Sequence, residues 1–222
     1  MLKIHHLNNS RSQRVLWLLE ELGLDYEVVH YERDPKTMLA PASLRMIHPL
    51  GKSPVLEDGA VRLAESGAIL EYVVGTYGQG RLAPAAGTPE RVRYLYWMHY
   101  AEGSAMPPLL MKLVFDRLPQ GPVPGLLRPL VRMISRRALT TFVNPQLKLH
   151  MDYWESELAK AQWFAGDFSA ADIQMSFPLE AAAARGGLAK GRPKAMAFLE
   201  RIHARPAYQK ALKRGGPYEL LR

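Results

Sequence analysis

The chain contains the stretch Pro49-Leu50-Gly51-Lys52-Ser53-Pro54-Val55-Leu56, and Ala64-Glu65-Ser66-Gly67-Ala68-Ile69 follows a few residues later. Proline cannot donate a ladder hydrogen bond, so we expect Pro54 to begin an edge strand or to lie in a bend. An X-Pro bond adopts the cis form readily, and a cis bond before Pro54 would turn the backbone of Ser53 outward. Ser66 begins a predicted helix, whose unpaired N–H groups suit a carboxylate. The two stretches therefore predict a cradle for a small peptide-like anion.

Length and composition place limits on the fold. The 222 residues are 48% hydrophobic, which suits one large or two compact domains and argues against disorder. Residues 1–79 carry a net charge of −2 and residues 80–222 carry +10, an asymmetry that favours two domains. The sequence has no cysteine, no 18-residue apolar run and no predicted signal peptide. We therefore expect a soluble, cytoplasmic protein.

The order of predicted elements divides the chain. Residues 2–7 form a predicted strand, residues 11–22 an amphipathic helix that Gly23 ends, and residues 25–31 a second strand, which implies a parallel pair with a crossover. A strand after Pro54, a hairpin with its turn at residues 57–59 and a helix over 65–77 complete a βαβ–ββα unit.

Everything after a turn-rich stretch has a helical pattern. The predicted domains are residues 1–79 and 89–222, with a linker at 80–88. Ser169 and Asp172 form a predicted capping box for a helix of low charge, which we expect to be the buried axle of the second domain. The helices are predicted at about 89–118, 126–160, 170–186, 192–204 and 206–214.

This arrangement resembles the glutathione S-transferase family over nearly the whole chain. Three motifs in the family's order carry the resemblance: residues 51–56, residues 64–69 and Phe168-Ser169-Ala170-Ala171-Asp172-Ile173. Residues 9–21 look most like the fungal and bacterial branch related to the yeast membrane-associated transferase. The resemblance implies a fold class of α/β plus all-α, with a thioredoxin-like N-terminal domain, a helical C-terminal domain and a homodimer.

The resemblance also implies a glutathione site. It puts the γ-glutamyl carboxylate at Glu65 and Ser66, and the cysteinyl backbone against Ser53, the residue before a cis Pro54. Lys52 is the expected cation for the glycine carboxylate, and His48 is a weaker alternative. The resemblance implies glutathione as co-substrate, with a hydrophobic small-molecule electrophile as its reaction partner, and no metal is expected.

The expected chemistry needs a thiolate near neutral pH. A free thiol with a pKa of about 8.5 is about 3% ionised at pH 7, and lowering the pKa by about 2 units stabilises the anion by about 2.7 kcal/mol. The family keeps a Tyr, Ser or Cys in the turn after the first strand, and here that turn holds Asn9, Ser10 and Arg11. We expect Ser10 to donate to the sulfur, assisted by Asn9 and Arg11; the alternative is that Ser10 only caps the first helix.

Two further surfaces are predicted. The electrophile pocket is expected between the domains, lined by Tyr94, Trp97, Met98 and Met106, which would otherwise be core residues. Residues 126–138 form a basic amphipathic helix, which predicts weak contact with an anionic membrane surface or, alternatively, a solvated helix face. Nucleic-acid binding is not expected, since the basic residues lack interleaved aromatic side chains.

The predicted function is a glutathione S-transferase that conjugates hydrophobic electrophiles, with glutathione-dependent peroxidase activity as an addition. A route through the protein's own mixed disulfide is closed because the chain has no cysteine. The alternative is a non-catalytic assembly module on the same fold. The joint presence of Lys52, Glu65 and Ser66 favours the enzyme.

Overall fold

The computed structural model describes residues 1–35, 37, 39–216, 218 and 220. In these ranges the first part of the chain forms the predicted βαβ–ββα unit. Its elements are β1 (Leu2–Leu7), α1 (Ser12–Leu22), β2 (Tyr26–Tyr31), α2 (Ser43–Ile47), β3 (Val55–Asp58), β4 (Val61–Ala64) and α3 (Ser66–Tyr77).

The four strands form one mixed sheet in the order β2-β1-β3-β4. β1 and β2 are parallel, with Leu2 opposite Tyr26 and Leu7 opposite Tyr31. β3 is antiparallel to both of its neighbours, β1 and β4. Because parallel strands end at the same edge of a sheet, the turn after β1 and the loop after β2 are neighbours.

The structure corrects two details around Pro54. β3 lies inside the sheet, so Pro54 does not begin an edge strand; it lies in the bend before Val55, where its missing N–H removes no ladder bond. The Ser53–Pro54 bond is cis. The hairpin turn is Gly59-Ala60 instead of residues 57–59, because Asp58 still pairs with Val61. Gly59 has a φ of 57°, a conformation that glycine adopts without strain.

Helix α1 packs between the sheet and the second half of the chain. Its apolar residues Val15, Leu18 and Leu19 are fully buried. Gly23 ends the helix in the left-handed conformation, and its N–H donates to the Glu20 carbonyl at 3.2 Å. Since α1 is covered on both sides, polar residues on it are also buried, and Arg14 is one of them.

Among the described residues of the second half of the chain, the regular elements are all helices, and loops with one isolated β-bridge, Trp163–Gly166, connect them. α4 continues through residues 101–105 into α5, and α6 continues through residues 139–143 into α7, as the two long predicted stretches require. No helix in the described ranges is long and apolar enough to cross a membrane. The helices are α4 (Pro89–Tyr100), α5 (Met106–Arg117), α6 (Arg128–Ala138), α7 (Asn144–Lys160), α8 (Ala170–Ala181), α9 (Pro193–His203) and α10 (Pro206–Gly215).

A stretch without regular structure separates the two halves. α3 ends at Tyr77 and α4 begins at Pro89, with the Thr88 hydroxyl accepting a hydrogen bond from the Arg91 N–H at 3.2 Å. The domain boundaries at residues 79 and 89 stay a prediction.

Helix α8 is the central buried helix of the helical half, as predicted, because each of its residues from Ala170 to Ala181 is buried. Its capping box is present as predicted: Ser169 accepts from the helix start, and the Asp172 carboxyl accepts from the Ser169 N–H at 2.9 Å. Asp172 also accepts from the Phe164 N–H at 2.9 Å. Burial raises the pKa of Asp172 to about 7. One side chain thus fastens the start of α8 to the loop before it.

We expect Asp172→Ala to lower the free energy of unfolding by about 2–3 kcal/mol, because two buried N–H groups lose their acceptor. Urea unfolding followed by circular dichroism measures this. Asp167→Ala removes an exposed carboxylate from the same loop and should change stability by less than about 0.5 kcal/mol. Equal losses in both variants would contradict the assigned role of the cap.

Candidate functional site

The start of α3 combines an unusual backbone with a buried hydroxyl. Glu65, the residue before α3, has φ 69° and ψ 116° and an exposed side chain. A non-glycine residue at positive φ costs about 1–3 kcal/mol, and such residues concentrate at binding sites. Ser66, the first residue of the helix, is buried. The helix start therefore offers unpaired N–H groups beside a fixed hydroxyl.

Arg14 reaches Ser66 from α1. The arginine is 1% exposed, and its Nη2 donates to Ser66 Oγ at 2.9 Å while Nη1 donates to the Gln174 carbonyl of α8 at 2.7 Å. A guanidinium has no acceptor atom, so the Ser66 hydroxyl hydrogen cannot point at Arg14. That hydrogen is therefore directed to a different acceptor, such as a ligand carboxylate.

Glu102 supplies the countercharge from the helical half. Its Oε1 accepts from Arg14 Nη2 at 2.5 Å, and its Oε2 accepts from Arg11 Nε at 2.9 Å. Burial by itself would raise the pKa of Glu102, but Arg14 and Arg11 outweigh it and hold that pKa below the usual value. Both guanidinium groups also lie over the Phe177 ring, at 5.1 and 5.3 Å from its centre. These five side chains, Arg11, Arg14, Ser66, Glu102 and Phe177, are the Arg14 cluster.

Sequence reasoning did not find Arg14 or Glu102, although each leaves a signal. Arg14 is four residues before Leu18, on the apolar side of α1, where a cation is out of place. Glu102 is the only acidic residue between Glu90 and Asp116. A lone cation and a lone anion, each on an apolar background, indicate a buried pair between elements far apart in sequence.

Ser53 connects the Pro54 bend to β1 through its side chain. Its hydroxyl donates to the His5 carbonyl at 2.8 Å and accepts from the Leu7 N–H at 3.1 Å. Its backbone groups make no hydrogen bond with the part of the chain that the structure describes. Lys52 is exposed, and His48, at the end of α2, accepts from the Leu50 N–H at 3.4 Å. This loop thus carries four of the predicted glutathione-binding residues, His48, Lys52, Ser53 and Pro54, and Ser53 fastens it to β1.

The turn after β1 places Ser10 inward. Ser10 is 5% exposed; its Oγ lies 2.7 Å from Ser12 Oγ and accepts from the Ser12 N–H at 3.3 Å. Ser12 Oγ in turn contacts His6 Nδ1 at 2.8 Å and the Leu7 carbonyl at 3.3 Å. Because Ser12 has these two further acceptors, we assign the Ser10 hydrogen to Ser12. The Ser10 hydroxyl thus bonds to Ser12, the first residue of α1, although the N-cap residue of the helix is Arg11. Both roles predicted for Ser10 stay predictions.

The other two candidates in the turn are more accessible. Asn9 is partly exposed and has a left-handed φ of 50°, which Asn tolerates better than most residues. The Arg11 side chain is 35% exposed beside Glu102. The structure therefore brings Asn9 and Arg11 to the open side of the turn and leaves Ser10 on the closed side.

His6 lies under the same turn. Burial lowers the pKa of His6 to about 4, with a smaller contribution from the charge of His30. The ring is therefore neutral near neutral pH and contacts Ser12 as a neutral partner.

The structure corrects the predicted electrophile pocket. Tyr94, Trp97, Met98 and Met106 are all buried in the hydrophobic core of the helical half. Trp97, for example, packs against Phe164 at a ring distance of 4.5 Å and against Tyr153 at 5.3 Å. Their helical spacing identified one face of α4 and α5 correctly, but that face packs inward and does not line a cleft.

The basic amphipathic helix is present as α6 and is unusually exposed. It begins at Arg128 instead of the predicted residue 126. Leu126, two residues before it, is 92% exposed and Met133 within it is 62% exposed, and only Ser135 is buried within α6. Arg128, Arg132 and Arg136 are exposed as well.

In the described part of the chain, no group of three or more His, Asp or Glu side chains is placed to hold a metal ion.

Comparisons with known proteins agree on one family. Residues 2–75 match the family model "Glutathione S-transferase, N-terminal domain". Glutathione S-transferase 3 of Schizosaccharomyces pombe is 39% identical over 82% of this chain and 74% of its own length. The structure of a glutathione S-transferase from Actinobacillus pleuropneumoniae superposes with a TM-score of 0.83 and 33% identity, over 100% of this chain and 96% of the other. A sphingomonad glutathione S-transferase solved in complex with glutathione superposes with a TM-score of 0.74 and 25% identity, over 96% and 98% of the two chains.

The burial of His6 generates a pH prediction. Its pKa is about 4 in the folded chain and 6.5 when unfolded, so the unfolded chain binds more protons between these values. The contribution of neutral His6 to stability is therefore complete above pH 6.5 and is lost as pH falls toward 4, by about 3 kcal/mol in all.

Urea unfolding of wild type and His6→Gln across this range measures that contribution. Because glutamine does not titrate, the variant should lose less stability on acidification than wild type does. His99→Gln, on the exposed side of α4, should keep the wild-type slope. Parallel curves for wild type and His6→Gln would rule out the assignment.

Proposed function

The chain belongs to the glutathione S-transferase family, and we propose that it activates glutathione as a thiolate for conjugation to hydrophobic electrophiles. Enzymes of this family are transferases, and this chain is one of them. The observation that carries the proposal is the buried Arg14–Ser66 contact at the start of α3, with Nη2 and Oγ 2.9 Å apart. A buried cation that fixes a hydroxyl as a donor at a helix N-terminus is suited to a carboxylate.

The γ-glutamyl end of glutathione would bind at this helix start. Its carboxylate would accept hydrogen bonds from the Ser66 hydroxyl and the first N–H groups of α3, near the charge of Arg14. The exposed carboxylate of Glu65 would repel a second carboxylate, so it suits the α-ammonium of the same γ-glutamyl group. One zwitterionic ligand end thus accounts for both residues.

The remainder of the tripeptide would follow the Pro54 bend. The backbone of Ser53 would pair with the cysteinyl backbone, while the Ser53 hydroxyl stays bonded to β1. Lys52 would pair with the glycine carboxylate, and His48 is the weaker alternative. The sphingomonad relative bound to glutathione supports a glutathione site in this fold.

Thiol activation would come from the open side of the β1–α1 turn. Asn9 and Arg11 are the donors that we assign to the sulfur, together with the positive end of α1. Ser10 stabilises the buried side of the turn, because its hydroxyl is bonded to Ser12.

Conjugation then proceeds from the bound thiolate. The thiolate sulfur attacks an electrophilic carbon, a C–S bond forms, and either a leaving group departs or a proton is added. In the peroxidase variant, two glutathione molecules reduce one hydroperoxide to an alcohol and water and become glutathione disulfide. A homodimer and a cytoplasmic location stay predictions.

The non-catalytic alternative, an assembly module on the same fold, does not explain the arrangement at the start of α3. An assembly module has no need of an exposed, strained Glu65 beside a serine hydroxyl that accepts from a buried arginine and keeps its own hydrogen for another acceptor. This combination favours the enzyme.

We expect Ser66→Ala to weaken glutathione binding about tenfold or more, because a hydrogen bond to a charged group contributes about 1.5–3 kcal/mol. Isothermal titration calorimetry measures the affinity, and thiolate absorbance on the same samples gives the thiol pKa. Ser156→Ala, which removes an exposed hydroxyl from α7, should bind like wild type. Absence of binding to wild type would overturn the proposed function.

For α6 we propose contact with an anionic membrane surface, supported by exposed Leu126 and Met133 beside exposed arginines. Sedimentation with phosphatidylcholine vesicles, with and without phosphatidylserine, tests this. Wild type should bind only the anionic vesicles and dissociate as salt is raised, and Leu126→Ser with Met133→Ser should bind less. Leu149→Ser, at an exposed position of α7, is the control. No vesicle binding would leave α6 as a solvated helix.

A further inference from the structure

Arg33 lies next to the β1–α1 turn although it is far from it in sequence. It follows β2, and β2 runs parallel to β1 with Tyr31 opposite Leu7. The Asn8 N–H continues the pairing by donating to the Tyr31 carbonyl at 3.1 Å. The topology of the sheet therefore delivers Arg33 to the turn that would receive the glutathione sulfur.

Three hydrogen bonds connect Arg33 to this turn. Its backbone N–H donates to Asn8 Oδ1 at 3.1 Å, its Nε donates to the Asn8 carbonyl at 3.3 Å, and its Nη2 donates to the Asn9 carbonyl at 3.4 Å. One planar guanidinium thus holds two consecutive carbonyl groups, which a lysine ammonium cannot span in the same way.

The position of these carbonyls determines where the N–H groups point. In a planar trans peptide the C=O of one residue and the N–H of the next point in opposite directions. With the Asn9 carbonyl held by Arg33, the Ser10 N–H points away from Arg33. That N–H has no hydrogen-bond partner among the residues that the structure describes.

The conformation of the β1–α1 turn also depends on hydrogen bonds from outside the turn. Asn9 has a φ of 50°, and a non-glycine residue in this region is less stable than one in the ordinary regions. Without a partner for its carbonyl, the peptide between Asn9 and Ser10 is free to rotate to a lower-energy form. Rotation would turn the Ser10 N–H away from the sulfur position.

We propose that Arg33 is a positioning residue for thiol activation: it holds the Asn8 and Asn9 carbonyls so that the Ser10 N–H is directed at the glutathione sulfur. The inference rests on the proposed function, since it concerns the same site. It adds a backbone donor to the side chains of Asn9 and Arg11, and this donor takes the place of the Ser10 hydroxyl, which is already bonded to Ser12. Backbone donors fixed before the ligand arrives need no reorganisation when charge develops.

The chain offers a matched control in Arg81. Its Nη2 donates to the Leu22 carbonyl at 3.0 Å and its Nε to the Gly78 carbonyl at 3.4 Å, outside the proposed site. Arg33→Gln and Arg81→Gln therefore each remove a guanidinium that holds two carbonyls. Only Arg33→Gln should change the thiol pKa of bound glutathione.

The test compares the thiol pKa of bound glutathione and steady-state kinetics with 1-chloro-2,4-dinitrobenzene in wild type and both variants. For Arg33→Gln we expect the thiol pKa to rise by about 1 unit and kcat near pH 6.5 to fall about fivefold, recovering above pH 9. KM for glutathione should change less than about twofold, because the carboxylate contacts are intact. Arg81→Gln should match wild type in all three quantities.

Two further variants separate positioning from charge and from misfolding. Arg33→Lys should behave like Arg33→Gln; full rescue by lysine would overturn positioning and assign the effect to charge. If Arg33→Gln does not fold, Asn8→Ala removes the acceptor of the Arg33 N–H and should raise the thiol pKa in the same direction by a smaller amount. An unchanged thiol pKa in a folded Arg33→Gln that still binds glutathione overturns this inference alone, whereas failure of wild type to bind glutathione overturns the proposed function.

Discussion

Removing a guanidinium from water costs several kcal/mol, and Arg14 recovers this cost only through partners from three different elements. Glu102 comes from the segment between α4 and α5, Ser66 from α3, Gln174 and Phe177 from α8. Neither half of the chain supplies them all. The complete set of partners exists only when the α/β half and the helical half are packed together, so the buried charge makes their relative position specific.

The same contact that fastens the two halves also prepares the ligand site. Arg14 donates to Ser66, and this leaves the serine as a donor to whatever binds at the helix start. Glu102 moderates the arrangement, because its ionised carboxylate holds Arg11 and Arg14 together despite their like charges. A substitution that loosens the packing between the two halves would therefore weaken the proposed carboxylate site even if the substituted residue does not contact the ligand.

Elements with local signals were predictable from the sequence. The strands and helices follow from periodicity, and the start of α8 from Ser169 and Asp172, because caps act within three residues. The hairpin turn was misplaced, since Asp58 suits a turn as well as a strand end. Tyr94 and Trp97 were misassigned because periodicity defines a helix face without telling whether that face meets a core or a cleft. Arg14, Glu102 and Arg33 were missed because their partners are set by topology: 88 residues separate Arg14 from Glu102, and 25 separate Arg33 from Asn8.

The direction in which a hydroxyl donates its hydrogen is even harder to predict from the sequence. Ser10 carries the hydroxyl that is expected to donate to the thiol, yet its hydrogen is assigned to Ser12, and no property of the sequence records that choice. The energy required of the remaining donors is modest. Lowering a thiol pKa by about 2 units requires about 2.7 kcal/mol, and a single hydrogen bond to a charged group contributes about 1.5–3 kcal/mol. One well-directed N–H, supported by the positive end of α1, is enough to make the thiolate the major form without a side-chain hydroxyl. What such a donor needs is a fixed direction, and the carbonyl contacts of Arg33 on the opposite side of the same peptides supply it.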